Sequence, residues 1–177
     1  DMANTTKNLI LEAVGDGGAM TFHLPVDGGS HIYKATLVSQ LTATGALVPY
    51  STASSGVCVG VAQHEADNSA GGASDGDVRC WVETKRAYAF ANGTAGDAFS
   101  EATLIGSVVY GDDDHTVAKV STGGRKAVGF YMGLEEDGRV RVFVDPGMAK
   151  IVDVLQTLAD SPATADALRD AIVAAFG

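Results

Sequence analysis

The side chains that could do chemistry here are four histidines, two cysteines and a scattered set of carboxylates. A nucleophilic triad needs Ser, Thr or Cys beside a histidine that a third group orients. His23, His31, His64 and His115 stand in no such context, and the chain has no Gly-x-Ser-x-Gly elbow. The richest cluster is Gly111-Asp112-Asp113-Asp114-His115. Carboxylates with an imidazole are a donor set for a divalent cation. A calcium loop, however, needs alternating oxygen ligands and a later bidentate Glu, which this run lacks. It lies between Val108-Val109-Tyr110 and Thr116-Val117, so the expectation is a solvated hairpin turn, with a cation site at Asp112–Asp114 as the competing reading.

A second polar stretch, Asp67-Asn68-Ser69 and Asp75-Gly76-Asp77, flanks Gly71-Gly72-Ala73-Ser74. It has the glycines of a phosphate cradle but neither the Lys nor the following helix of a P-loop. A mobile hairpin loop is expected. Glu65, Glu83, Glu101, Glu135 and Glu136 are spread over separate runs, and the sequence pairs no two of them as acid and base. Cys58 and Cys80 sit among apolar neighbours and read as buried free thiols. The expectation is no catalytic residue, no cofactor, no metal and no enzyme.

Charge narrows the partners. The formal net charge is −10, and the twelve Lys and Arg are scattered, the longest basic runs being pairs such as Lys85-Arg86 and Arg125-Lys126. Direct nucleic-acid binding, which needs a basic stripe, is not expected. No stretch approaches the ~20 apolar residues that span a bilayer, so no membrane partner is expected, and residues 1–8 do not read as a secretory signal. An acidic surface suits solubility at high copy number.

These groups need a scaffold, and the spacing predicts a mainly β one in three parts: a leader over 1–20, a β-rich body over 21–145 and a helical tail over 146–177. The leader holds one apolar strand, Leu9-Ile10-Leu11-Glu12-Ala13-Val14, before Gly15-Asp16-Gly17-Gly18. Strand-like runs follow at 31–38, 56–62, 77–83, 87–91, 107–110, 116–120, 127–132 and 139–144. Asp27-Gly28-Gly29, Asn92-Gly93, Gly123-Gly124 and Asp137-Gly138 are among the turn signals between them. Spacing near ten residues predicts a compact antiparallel β-sandwich or barrel-like body. Val78, Cys80 and Val82 should share one face, as should Val140, Val142 and Val144. Gly76–Val82 aligns with Gly138–Val144, and the pairs Val59-Gly60 and Val128-Gly129 lie upstream, which suggests a pseudo-repeat. After a break at Asp145-Pro146-Gly147, Ile151, Val154, Leu155 and Leu158 take helical spacing. Ser161-Pro162 then opens a second helix with Ala165, Leu168, Ile172, Ala175 and Phe176 on its apolar face and Arg169 and Asp170 in solvent. A helical hairpin results.

Five stretches carry a family resemblance. Tyr33–Val38, Val59–Gly71, Gly76–Arg79, Ala98–Lys119, and Ala127–Phe130 with Gly138–Val144 occur in the order and spacing of the phage capsid cement, or head decoration, proteins of the DUF2190 type. The body, over residues 30–145, resembles that family. The resemblance implies an all-β structural protein on the outer surface of a phage head, made in the host cytoplasm. It would sit where major capsid subunits meet and stabilise the lattice. The implied partners are the major capsid protein and further copies of the chain, a trimer being the plausible oligomer. Leu9, Ile10, Leu11, Val14, Leu168, Ile172 and Phe176, at the two ends, are the candidate contacts. The competing function is a host-recognition or tail-associated module, for which Tyr88, Phe90 and Phe99 would be the exposed aromatics.

Overall fold

The computed structural model describes residues 18–159, 169–170 and 173–174. The body is mainly β, as the turn spacing predicts. Its strands are β1 (Met20–Pro25), β2 (His31–Ile32), β3 (Leu37–Gln40), β4 (Leu47–Pro49), β5 (Val57–Ala62), β6 (Ala66–Asp67), β7 (Arg79–Thr84), β8 (Arg86–Asn92), β9 (Val108–Gly111), β10 (Thr116–Ala118), β11 (Ala127–Leu134) and β12 (Val140–Val144). A helix, α1 (Pro146–Ala159), follows, and residues 169–170 and 173–174 are also helical.

The strands build one five-stranded unit twice. In the second, β10-β8-β12-β11-β9 form a closed barrel. In the first, the order β1-β7-β5-β3-β4 gives an open sheet that curls until the residue after β1 bridges β4 in parallel, Val26 to Leu47. The parallel seam of the barrel is β8 with β10, at Ala91–Asn92 and Thr116–Val117. Replacing β1, β3, β4, β5 and β7 by β8, β9, β10, β11 and β12 therefore converts one unit into the other in chain order. The register agrees as well. Phe22 faces Val82 as Tyr88 faces Val142, and Val38 faces Gly60 as Val109 faces Gly129. Both units also leave one extra residue between paired positions, Val59 in the first and Val128 in the second.

The predicted pseudo-repeat is thus present with a corrected register. Thr84 faces Met20 and Val144 faces Arg86, so strand pairing equates Thr84 with Val144, not Val82 with Val144. A two-residue slip preserves the alternation of inward and outward side chains, so the pattern alone does not detect it. The Val-Gly pairs do match. A Cβ at Gly60 would overlap the carbonyl oxygen of Glu83 and lie 2.9 Å from Val82 Cγ1; at Gly129 it would overlap that of Phe143 and lie 2.9 Å from Val142 Cγ1.

Each unit has its own core. Val38, Leu47, Ala62, Cys80 and Val82 are buried in the first, with Leu24 and Val59 packed against them. Their counterparts Val109, Val117, Tyr131, Val140, Val142, Phe90 and Val128 are buried in the second. The predicted shared faces hold, since Cys80, Val82, Val140, Val142 and Val144 are all buried and Val78 packs beside the first core. The units join at Lys85, which has φ 59° and whose N–H donates to Val144 O at 2.7 Å. Leu37, Tyr50, Cys58 and Val61 of the first unit pack into the core of the second.

Some expected elements differ. The run 31–38 is broken by Ala35 at φ 65°, with Thr36 Oγ1 donating to Tyr33 O at 2.7 Å, and becomes β2 and β3. Two strands add to the expected runs: β1, which follows a glycine-rich stretch and ends in a proline, and β4, which is three residues long. At Asp145-Pro146-Gly147 the last strand gives way to α1: Met148 N–H donates to Asp145 Oδ1 at 3.1 Å, so Asp145 caps α1 and Pro146 opens it, where its missing N–H costs nothing. On α1 Ala149 is buried, while Ile151 and Leu155 are exposed. Arg169 and Asp170 are exposed, as expected, and also pair with each other. The leader strand and the Ser161 cap lie outside the described residues.

Candidate functional site

The acidic run forms the turn between β9 and β10, and each of its aspartates already has a partner. Asp112 Oδ1 accepts Arg125 Nε at 2.7 Å, and the same guanidinium reaches Asp97 Oδ2 at 2.7 Å. Asp113 Oδ1 accepts the main-chain N–H groups of His115 and Thr116 at 2.9 and 2.6 Å, which closes the turn. Asp114 Oδ1 lies 2.7 Å from His115 Nδ1. That contact, with Asp113 nearby, raises the His115 pKa and favours the imidazolium. Asp113, Asp114 and His115 lie close enough to share a cation. Their existing bonds account for the cluster as a clamp that closes the turn.

The other polar stretches are also structural. Asn68 is buried, and its Nδ2 donates to Val26 O at 3.0 Å, Asp27 O at 3.3 Å and Ser74 O at 2.9 Å. Asp75 Oδ1 accepts Gly28 N–H, and Asp77 Oδ2 accepts Ser74 N–H. The expected mobile hairpin loop is therefore a stitched cap over the first unit, and its β6 pairs with β2 rather than with β5. Glu65 pairs with His31 at 2.8 Å, and Glu135 holds Arg141 at 2.8 and 3.1 Å. Glu83, buried at the junction of the units, binds Arg86 at 3.1 Å and accepts the Tyr88 hydroxyl, which itself accepts Gln63 Nε2 at 2.8 Å.

Both cysteines are free and buried, as read from their neighbours. Ala62 faces Val82, which puts Cys80 opposite position 64 and six residues along from Cys58. Burial pushes the Cys58 thiol up to about 12 and raises that of Cys80, so neither is poised as a thiolate. Of the aromatics expected to be exposed, Phe90 and Phe99 are buried and Tyr88 is half-buried. Inward strand positions, and Phe99 stacking on Tyr131 with centroids 5.0 Å apart, explain this. The exposed aromatics among the described residues are Tyr33, Phe22 and Trp81; Trp81 stacks on His23 at 4.4 Å across β1 and β7.

A groove of about 580 Å³ lies at the rim of the first unit. Met20, Phe22, Leu24 and Val59 give it an apolar wall, and Met148 at the start of α1 faces them. Lys85 and Asp145 lie at its side. Phe22 is 37% exposed and Met148 50%, so the groove presents apolar surface to water. The α1 side chains Ile151 and Leu155 extend this apolar surface one and two turns along the helix. Separately, Leu104 and Ile105 form an exposed apolar tip before β9. The expected contacts Leu9, Ile10, Leu11, Val14, Leu168, Ile172 and Phe176 all lie outside the described residues. The groove was missed because its members come from β1, β5, β7 and α1, a convergence without a local signal.

No protein-family model, curated protein or solved structure significantly matches the chain. What the geometry defines is a duplicated five-stranded β unit with a helix laid against it and an open apolar rim.

Proposed function

We propose that the protein is a structural component of a virion: a cement or decoration protein that binds the outer surface of a phage head and stabilises its lattice. The observation that carries this reading is the contrast between its polar and apolar groups. The carboxylate clusters close turns and fasten the two units together, whereas the prominent unengaged features are apolar: the groove, the Met148–Ile151–Leu155 stripe and the Leu104-Ile105 tip. Such separated apolar contacts suit binding to a repeating lattice, where many weak interfaces add. The family resemblance over residues 30–145 supports the same reading, and so does an acidic surface on a rigid β scaffold. The partners are then the major capsid protein and other copies of this chain.

The test is to mix purified protein with capsids stripped of decoration and image them by electron microscopy. Ordered density on the outer lattice is the expected result, reduced by deletion of residues 1–14 or by Leu104→Asp with Ile105→Asp. Absence of binding at every salt concentration would sink the proposal. The Trp81–His23 stack favours one competing reading, a receptor-binding virion module. Inhibition of phage adsorption by soluble glycan, lost in Trp81→Ala, would select it.

A further inference from the structure

Two apolar features of the molecule are complementary in shape. The convex one is the tip before β9. Leu104 is 79% and Ile105 64% exposed, more than any other large hydrophobic among the described residues. A braced double turn holds them out. Thr103 N–H donates to Ser100 O at 2.9 Å, and Thr103 Oγ1 accepts Ser100 N–H at 3.1 Å. Leu104 O accepts Ser107 Oγ at 2.7 Å and Ser107 N–H at 3.1 Å. Gly106 N–H donates to Tyr131 O at 2.8 Å, and the Tyr131 hydroxyl donates to Ser100 O at 3.2 Å. The tip is thus stitched to β11 on both sides, and its backbone freedom is spent before any partner arrives.

The concave feature is the groove. Phe22 and Leu24 form its wall, and Met20 and Met148 line it while 40% and 50% exposed. Methionine adapts its shape to what it meets. At about 580 Å³ the groove has the size of sites that enclose compact apolar groups. No residue of 97–107 lines it, so tip and groove are separate surfaces of one chain.

Charge selects the occupant. The segment 97–107 holds Asp97 and Glu101 and no cationic side chain. Arg125 engages Asp97, whereas Glu101 has no ion pair or hydrogen bond among the described residues. An acidic apolar tip is repelled by an anionic lipid surface and matched by an apolar pocket with a cation at its side. The groove is such a pocket. Lys85 lies at its side, exposed, with its amino group unpaired among the described residues. Asp145, the acid at the groove, accepts Met148 N–H as the cap of α1.

We propose that the tip of one copy seats in the groove of a second copy, Leu104 and Ile105 against Phe22 and Met148, with Glu101 beside Lys85. The two surfaces differ, so the contact is head-to-tail: each copy gives its tip to one neighbour and its groove to another. Such a contact closes into a ring where its rotation permits and otherwise runs on as a filament. The apolar pair supplies the attraction, and the exposed ion pair sets orientation more than strength. The contact needs no capsid, so it and the lattice reading can fail independently.

Sedimentation velocity of the full chain reads the association. At about 0.15 M salt the repulsion between copies of net charge −10 is screened within roughly 8 Å. The average mass should rise with concentration up to about 1 mM, and a monomer throughout overturns the proposal. Leu104→Asp with Ile105→Asp removes the tip. Met148→Asp blocks the groove with an acid that the first turn of a helix tolerates. Each variant alone should stay monomeric. Mixed in equal amounts they should form a one-to-one dimer and nothing larger, because the pair retains one intact tip and one intact groove. A mixture that stays monomeric, or variants that associate as the parent does, overturns the proposal. Thermal melts check that each variant folds; Leu104→Ser with Ile105→Ser, and Met148→Gln, replace any that does not. Lys85→Glu should weaken association about twofold to fivefold, and Glu101→Lys in the same chain should restore it. Without that restoration the seating of Glu101 beside Lys85 is wrong.

Discussion

The two five-stranded units share connectivity, register and bulge, yet one closes as a barrel and the other stays open at its seam. A single residue type accounts for much of the difference. In the barrel, Ala91 N–H donates to His115 O at 2.9 Å across the parallel seam. The equivalent of Ala91 is Pro25, which has no N–H to give. The equivalent acceptor, Gly45 O, takes Gln40 Nε2 instead, at 2.9 Å. The topology is therefore carried by positions common to both units, such as Val38 and Val109, Val59 and Val128, and Val82 and Val142. At Pro25, Gln40 and Ala62 the first unit departs from Ala91, Gly111 and Tyr131 of the second, and the apolar groove lies at its rim.

The equivalence is broken most forcefully at its glycines. Gly129→Ala should cost about 2–4 kcal/mol, because the added Cβ meets the Phe143 carbonyl and Val142. Gly60→Ala should cost at least as much, since Gly60 also has φ +147°. Urea titrations of the two variants test this, and tolerance of either one would show that the close strand approach does not fix that glycine.

Tyr50→Phe comes next and tests the junction. It removes the hydroxyl between Gly111 O and Lys126 N–H while leaving the ring, so about 1–3 kcal/mol should be lost. Burial pushes the Tyr50 phenol up to about 12, so this contribution should persist through mildly alkaline pH. A loss confined to the second unit's amides in hydrogen exchange would show that the Tyr50 hydroxyl serves that unit alone.

Pro25→Ala sharpens the comparison at the seam. It restores an N–H but raises the entropy of the unfolded chain, so the net change should stay within about 1 kcal/mol. The decisive measurement is the amide of residue 25. It should become protected only when Gln40→Ala also frees the Gly45 carbonyl. Protection without that second change would mean that Gln40 does not substitute for the missing donor.

How much of this was legible follows from range. Alternation over five residues revealed the Val78–Val82 and Val140–Val144 faces, and the Val-Gly pairs located the repeat. The two-residue slip in its register stayed hidden because side chains alternate with the same period. Strand β1 was missed since Met20-Thr21-Phe22-His23-Leu24-Pro25 ends in a proline and begins among glycines. The sequence presents the polar clusters as turn and loop residues. Their partners were invisible because Arg125, Gly28 and Val26 lie far along the chain from Asp112, Asp75 and Asn68. The groove had no sequence signal at all, as it exists only where the rim of one unit meets the start of α1.

The smallest effect separates the two units by pH. The turn between β3 and β4, Leu41–Ala46, has no titratable side chain, whereas its counterpart holds Asp112, Asp113, Asp114 and His115. The hydrogen bond to Asp114 raises the folded-state pKa of His115. A raised pKa means that the folded state holds the proton more tightly than the unfolded one. The resulting stability is complete below the ordinary histidine value of about 6.5 and is lost as pH rises through the folded-state value. Because His115 is exposed, water screens the pair and the change should be no more than about 0.5 kcal/mol. Amides of the β9–β10 turn should therefore lose protection slightly, after correction for intrinsic exchange, as pH rises from 6 to 8. Those of the β3–β4 turn should not. His115→Gln should remove the difference; if it persists, another group sets the pH response of the second unit.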